Sequence, residues 1–492
     1  MSLKHLALGA LLTLSILTAA SAEEPNREAL ENWPNWRGPN SDGVAPYGNP
    51  PTEWSEDSNI KWKIEVPGLG NATPIIWKNQ IFILTAIETD KKAAADPKAQ
   101  DKNDPQATRE EDQEKEENKD AQKRSEDQPR GRRGRGGRGV GGRGGRGRGG
   151  EKPSKAYDFV VLCFDRQSGK ELWKQVANET VPHEGFRAGD NSFASGSPTT
   201  DGKYLYASFG SFGVYCYDLD GKLVWERDLG NMETRNAFGE GTSPTLYRDR
   251  LIVNWDHEGQ SQIFILDAKT GETKWQRERD EKTSWATPLV VEHKGRVQVI
   301  VSATNRVRSY DLETGDLVWE CGGQTTNTIP SPLKIDDNVI CMSGFQGSAI
   351  YSVPLDSTGD LTKDKKVAWY YDGETDYRPG TPYVPSALLY GDLLYFLKSN
   401  DAMLTCMSAH TGEVFFDKQR LQGLGRIYSS PVGAGDKVYI TGRDGATLVI
   451  KHGEKFEQLA TNTLNDGIDA SGAIVSNELF LRGKKHLYCI AE

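Results

Sequence analysis

Two polar loops hold the densest groups of residues able to bind or react. HEGFRAGDNSF offers His183, Glu184, Arg187, Asp190 and Asn191, and NMETRNAFGEG offers Arg235, Asn236 and Glu240. Further along stand Trp285, Asn327, Tyr377, Arg378, Arg426, Tyr428, Asp466 and Asp469. Four arginines (Arg187, Arg235, Arg378, Arg426) among aromatic neighbours suit an anionic or sugar-like ligand, or a peptide strand. Guanidinium forks pair with anionic oxygens, and aromatic faces supply apolar contact. The competing account is that these are loop charges pairing with one another. His183 with Asp190 has the make-up of a general-base pair, yet an isolated loop His is ordinarily a solvated side chain. No Ser-His-Asp order, metal-spaced His cluster or phosphate-binding glycine loop stands out. No catalytic and no metal-ligating residue is therefore assigned.

These loops alternate with a repeat. A short apolar strand ends near Asp, a Gly-centred turn follows, and Trp comes four residues after the Gly. The unit reads LCFDRQSGKELW (Gly169, Trp173), YCYDLDGKLVW (Gly221, Trp225), FILDAKTGETKW (Gly271, Trp275) and RSYDLETGDLVW (Gly315, Trp319). CMSAHTGEVFF (Gly412, Phe416) is a weaker copy. Each is a hairpin signature. A second mark, a small residue followed by Pro, opens a strand, where a missing N–H is tolerated. It occurs at Pro74, Pro198, Pro244, Pro288, Pro332 and Pro431, with degenerate copies at Ser386-Ala387 and Ser471-Gly472. Four strands per 40 to 55 residues make a propeller blade. Eight marks predict an all-β, eight-bladed β-propeller of four-stranded blades. A closed ring is preferred to an open solenoid because the ends complement each other. HLYCIAE is a third strand without a fourth, and NIKWKIE, with Trp62, is an orphan fourth strand. The last blade is thus closed by N- and C-terminal strands, which removes both open edges. The polar loops, lying before the marks, ring one mouth of the channel.

Composition agrees. The 492 residues exceed one ordinary core of about 150 residues. A net charge of −10 argues against wholesale nucleic-acid binding, and six Cys do not make a disulfide scaffold. Residues 1–22 read as a signal peptide: Lys4 and His5, an apolar run from Leu6 to Leu17, then Ala20-Ser21-Ala22 with cleavage after Ala22. No later stretch of about 18 apolar residues occurs, so an exported protein of periplasm or exterior, not membrane-spanning, is expected. Residues 23–53 form an N-terminal lead-in and residues 54–492 the propeller.

The spacing from Trp62 to Trp173 is 111 residues, and a 67-residue segment of foreign composition, residues 88–154, accounts for the excess. It is read as a disordered insertion within the first blade. Its first half is rich in Glu, Asp and Lys and cannot bury enough apolar surface to order itself. Its end, Arg130 to Gly150, carries eight Arg and twelve Gly. Such runs suit polyanions. With an export signal, and no Phe or Tyr for base stacking, a solvated tether is expected here and no specific nucleic-acid partner.

The pattern S-P…Y-x-x-D-x-x-T-G-x-x-x-W resembles the pyrroloquinoline-quinone-type (PQQ-like) β-propeller repeat, from Trp54 to Glu492 outside the insertion. The lead-in WPNWRGPNSDG, from Trp33 to Gly43, resembles that of exported propellers from Planctomycetes-like bacteria. In architecture the chain is similar to BamB, the propeller subunit of the outer-membrane protein assembly machinery. The resemblance implies that Trp62, Trp173, Trp225, Trp275, Trp319 and Trp369 dock between blades. Asp165, Asp218, Asp267 and Asp311 are expected to fix turns. It implies a non-catalytic protein- or ligand-binding scaffold, monomeric, with no cofactor and with envelope proteins or an anionic or sugar-like ligand as partner. One alternative is a quinoprotein dehydrogenase using pyrroloquinoline quinone and Ca²⁺. Its usual adjacent Cys pair, lid insertions and C-x-x-C-H haem motif are absent from this sequence. A second alternative is binding or processing of envelope polysaccharide. Cys163, Cys216, Cys406 and Cys489 occupy one strand position in different blades and should be buried thiols. Cys321 and Cys341 are also expected to be free; only those two could form a bridge.

Overall fold

The computed structural model describes residues 27–92, 149–363, 367–371 and 380–492. The signal peptide, most of the insertion, Tyr377 and Arg378 lie outside them. Eight antiparallel sheets form a ring. The first is Ile75–Trp77, Gln80–Lys92, Lys155–Asp165 and Glu171–Thr180. The eighth is Ala473–Val475, Glu478–Arg482, His486–Ile490 and then Ile60–Glu65 from the other end of the chain. Trp62 faces Cys489 across that closing pair. Inner and middle strands are apolar on both faces because blades press on each side, as in the fully buried Leu393–Leu397. Outer strands alternate, as in Ile60–Glu65. The fourth blade gains a fifth strand, Gly359–Asp360, parallel to Leu317–Gly322.

The repeat marks have physical roles. Asp267 Oδ1 accepts the N–H groups of Lys269 and Thr270, and Asp165, Asp218 and Asp311 hold their turns likewise. Indole N–H groups of Trp62, Trp173, Trp225, Trp275 and Trp369 each donate to a backbone carbonyl of the next blade, at 2.7–3.1 Å. Trp319 differs. It is fully buried and donates to Gln298 Oε1 at 3.2 Å within its own blade. The fifth blade has no short Gly turn to receive it, because the chain there detours to form the extra strand. The thiols of Cys163, Cys216 and Cys406 stand opposite Trp173, Trp225 and Phe416. All six Cys are buried and none is in a disulfide, and burial pushes Cys163, Cys216, Cys341 and Cys406 up to about 12.

Of the segment read as an insertion, residues 88–154, the first five residues belong to a strand of the first blade. Glu88–Lys92 and Lys155 continue the strands of the first blade, with Glu88 opposite Tyr157. The Glu88 carboxylate takes both Lys155 Nζ and the Tyr157 hydroxyl, which extends the hairpin into charged sequence.

The small residue of each strand-opening mark is a hydroxyl. Its oxygen accepts the main-chain N–H of the equivalent residue one blade earlier. Thr73 donates to Ser197, Ser197 to Ser243, Ser243 to Thr287 and Thr287 to Ser331. Ser331 then donates to Ser386, Ser386 to Ser430 and Ser430 to Ser471. The belt covers seven of the eight joints. At the eighth, where the termini meet, Thr73 Oγ1 is buried without a partner.

The lead-in closes one end of the channel. Trp33 exchanges backbone bonds with Ile76, Pro34 O accepts Thr200 N, and Leu389 N donates to Asp42 O. Gly433 binds Gly43 and Ala45. The segment therefore occupies channel-facing strand edges of the first, second, sixth and seventh blades, which would otherwise be unpaired. Arg37, 2% exposed, donates to Pro431 O and Ala387 O, both at 2.9 Å. Gly43 leaves it room: φ is +94°, and a Cβ there would lie 2.1 Å from Arg37 Nη2.

Candidate functional site

Above this plug the channel opens into a cavity of about 390 Å³. Trp36 of the lead-in lines it, together with the rings of Phe238, Trp285, Phe345, Tyr383 and Tyr428. Of the residues expected at the mouth, Arg187, Asp190, Trp285, Arg426, Tyr428 and Asp469 all line it. Trp285 is fixed by its backbone N–H to Thr328 O and its indole N–H to Gly239 O, each at 2.8 Å. Asn191, on the same loop as Arg187, donates to Phe238 O and Glu240 O and laces two mouth loops together.

One ion network organises the wall. Arg443 binds Asp469 Oδ1 at 2.6 Å and Asp190 Oδ1 at 3.0 Å. Its guanidinium lies 3.8 Å from the centre of the Tyr428 ring. Asp190 also pairs with Arg187 at 2.8 Å and accepts the Tyr428 hydroxyl at 2.9 Å. Burial, with Asp190 beside it, pushes the Tyr428 hydroxyl up to about 12, so it remains a donor. Arg426 is exposed and donates to Tyr428 Oη at 3.2 Å.

Other expected residues lie elsewhere. His183 does not meet Asp190: its Nε2 lies 2.8 Å from Met232 O, in a small enclosed pocket beside Phe212. Asn327 is buried and accepts Arg235 Nη1 at 3.1 Å. That pair is not in the cavity lining but stands close to Tyr383. Asn236 is exposed on a short 3₁₀ turn and does not line the cavity. Sequence reasoning missed Trp36, Phe345, Tyr383 and Arg443. Phe345 and Arg443 sit in turns between the second and third strands of their blades, a second set of loops at the same mouth. A search of both loop sets would have found them.

Glu240 lies beneath this mouth and accepts the Ser211 N–H and hydroxyl at 2.8 and 2.6 Å. Burial raises it from its ordinary 4.5 to about 7. Glu281, in the joint between the third and fourth blades, is raised to about 7 for the same reason. A carboxyl that holds its proton more tightly when folded stabilises fully below its unfolded value. That contribution is lost as pH rises from about 4.5 to about 7. Glu240→Gln should therefore flatten the fall in stability between pH 5 and pH 8, by about 2 kcal/mol. Urea unfolding at the two pH values measures it, and an unchanged difference would contradict the assignment.

The pyrroloquinoline quinone and Ca²⁺ pair needs carboxylates for its metal. The carboxylates on this wall, Asp190 and Asp469, are both engaged by Arg443. Among the described residues no three His, Cys, Asp or Glu group to hold a metal ion. The wall does not fit a Ca²⁺–quinone site, and no step is derived through one.

No curated protein matches the sequence. Among solved structures, quinohemoprotein alcohol dehydrogenase from Comamonas testosteroni is 10% identical, with 93% of this chain and 80% of that one covered at a TM-score of 0.54. A europium-containing methanol dehydrogenase is 8% identical over 92% and 90% of the two chains, at 0.53. BamB from Moraxella catarrhalis is 13% identical over 68% and 79%, at 0.33. At such identities the two dehydrogenases show a shared fold alone. The family model described as outer membrane protein assembly factor BamB matches residues 158–418, just over half of the chain. Those residues run from the first blade into the outer strand of the sixth, and the remaining blades repeat the same four-stranded sheet and hydroxyl belt. The chain therefore belongs to the BamB-type family of PQQ-like repeat β-propellers.

Proposed function

We propose that the protein is an exported, non-catalytic scaffold whose ligand enters the central cavity from the open mouth. The supporting observation is the blind cavity itself, ringed by aromatic side chains, with both wall carboxylates engaged by Arg443. Groups so engaged orient loops and, among the described residues, leave no free carboxylate facing the space, which is the arrangement of a binding site. A thermal-shift panel of anionic sugars, neutral sugars and short peptides tests this. A ligand of the cavity raises the unfolding midpoint, and its affinity drops at least tenfold, roughly 1.4 kcal/mol, in Trp36→Leu. Binding indifferent to Trp36→Leu would overturn the reading. So would alcohol-dependent dye reduction after addition of pyrroloquinoline quinone and Ca²⁺.

A further inference from the structure

The cavity is rich in hydrogen-bond donors and poor in acceptors. Ser243, Thr287, Ser430 and Ser471 of the hydroxyl belt line it. Each oxygen already accepts a backbone N–H from the preceding blade. Each therefore keeps its O–H to donate, and among the described residues none of the four donates to anything. Arg426 adds a guanidinium at the mouth whose partner, Tyr428 Oη, is neutral. Arg235, just behind, donates to the neutral Asn327 and, among the described residues, pairs with no carboxylate. The carboxylate oxygens that could accept are turned to Arg443, Arg187 and Tyr428.

A complementary ligand carries acceptors, negative charge and flat C–H faces for the rings. A peptide without acidic side chains would leave the arginines uncompensated. A small inorganic anion would leave the aromatic wall uncovered, and a neutral sugar would leave the arginines uncompensated. A volume of about 390 Å³ lies within the ordinary range of small-molecule sites. Resting on the cavity reading above, we infer that the ligand is an anionic saccharide: sugar rings stacked on the aromatic wall, with a carboxylate or sulfate turned to the arginines and belt hydroxyls.

Titration calorimetry of the mature protein with digalacturonate, a sulfated chondroitin disaccharide, cellobiose and inorganic sulfate tests this. At least one acidic disaccharide should bind ten times or more tighter than cellobiose and sulfate, and the preferred one identifies carboxylate or sulfate as the source. Its affinity should fall with added salt, since the mouth is open to solvent. Arg426→Gln should weaken it about tenfold, as expected for one charge-assisted contact. Arg426 is exposed, so this variant keeps its fold. Cellobiose binding as tightly as the acids, or an affinity unmoved by Arg426→Gln, would overturn the saccharide inference. Peptide or quinone binding that displaces the acids and is lost in Trp36→Leu would do the same, while sparing the cavity. Binding of every probe unaffected by Trp36→Leu would defeat both.

Discussion

Arg279→Met should destabilise the protein by about 3–5 kcal/mol, the usual cost of stripping one partner from a buried ion pair. Arg279 and Asp256 have side chains with no solvent exposure. The guanidinium grips both oxygens of Asp256, at 2.7 and 3.1 Å, and reaches the Tyr310 hydroxyl of the next blade at 2.7 Å. Methionine fills comparable space but leaves Asp256 charged in the joint, with Ser284 as its remaining close donor at 2.6 Å. The double variant Arg279→Met, Asp256→Leu removes the stranded charge and should recover much of the loss. Urea midpoints of wild type, both single variants and the double variant measure the coupling. If the double variant loses the sum of the single losses, the pair is not coupled as described.

Gly271→Ala should cost about 3 kcal/mol, from two sources. Its φ is +73°, a region that costs other residues roughly 1–2 kcal/mol. A Cβ would also lie 2.7 Å from Trp225 Cε3, and overpacking of this kind adds about 1–3 kcal/mol. Trp225 cannot move freely because its indole N–H is bonded to Ala268 O at 2.9 Å. Gly295→Ala separates the two contributions. Its φ is +79°, yet nothing lies within 4 Å of a Cβ there, so only the backbone cost should appear. Equal losses at both positions would mean that the Trp contact contributes nothing. The same contact recurs at Gly169, Gly221, Gly315 and Gly412, against Trp62, Trp173, Trp275 and Trp369. This is why Gly and Trp recur together: the turn of one blade is the seat for the indole of its neighbour.

Much of the architecture was legible because it is repetitive. A turn Asp, a left-handed Gly and a Trp at fixed spacing each answer to local chemistry, and local chemistry is written in consecutive residues. Ring closure was legible too, because Trp62 and Cys489 continue the repeat across the chain ends. Trp319 packs in one cluster with Val339, Cys341 and Val353 of the fifth blade, and only its indole bond departs from the pattern, going to Gln298 of its own blade. At the mouth, six candidates met in one cavity because the loops before each mark share one face. His183 did not, since its ring turned to the Met232 carbonyl.

By itself the sequence determined the blade, the blade number and the residues that lock neighbours together, since each depends on spacing within about fifty residues. Only the tertiary structure decided what the channel became. Trp36 and Arg37 reach the axis because the lead-in pairs with strands up to four hundred residues away. Arg443 gathers Asp190 and Asp469 from different loops, and the strand-opening hydroxyls acquire their meaning only when eight blades bring them into one belt. Long-range backbone pairing and converging charges carry no period along the chain, so they could be read only after the ring had closed.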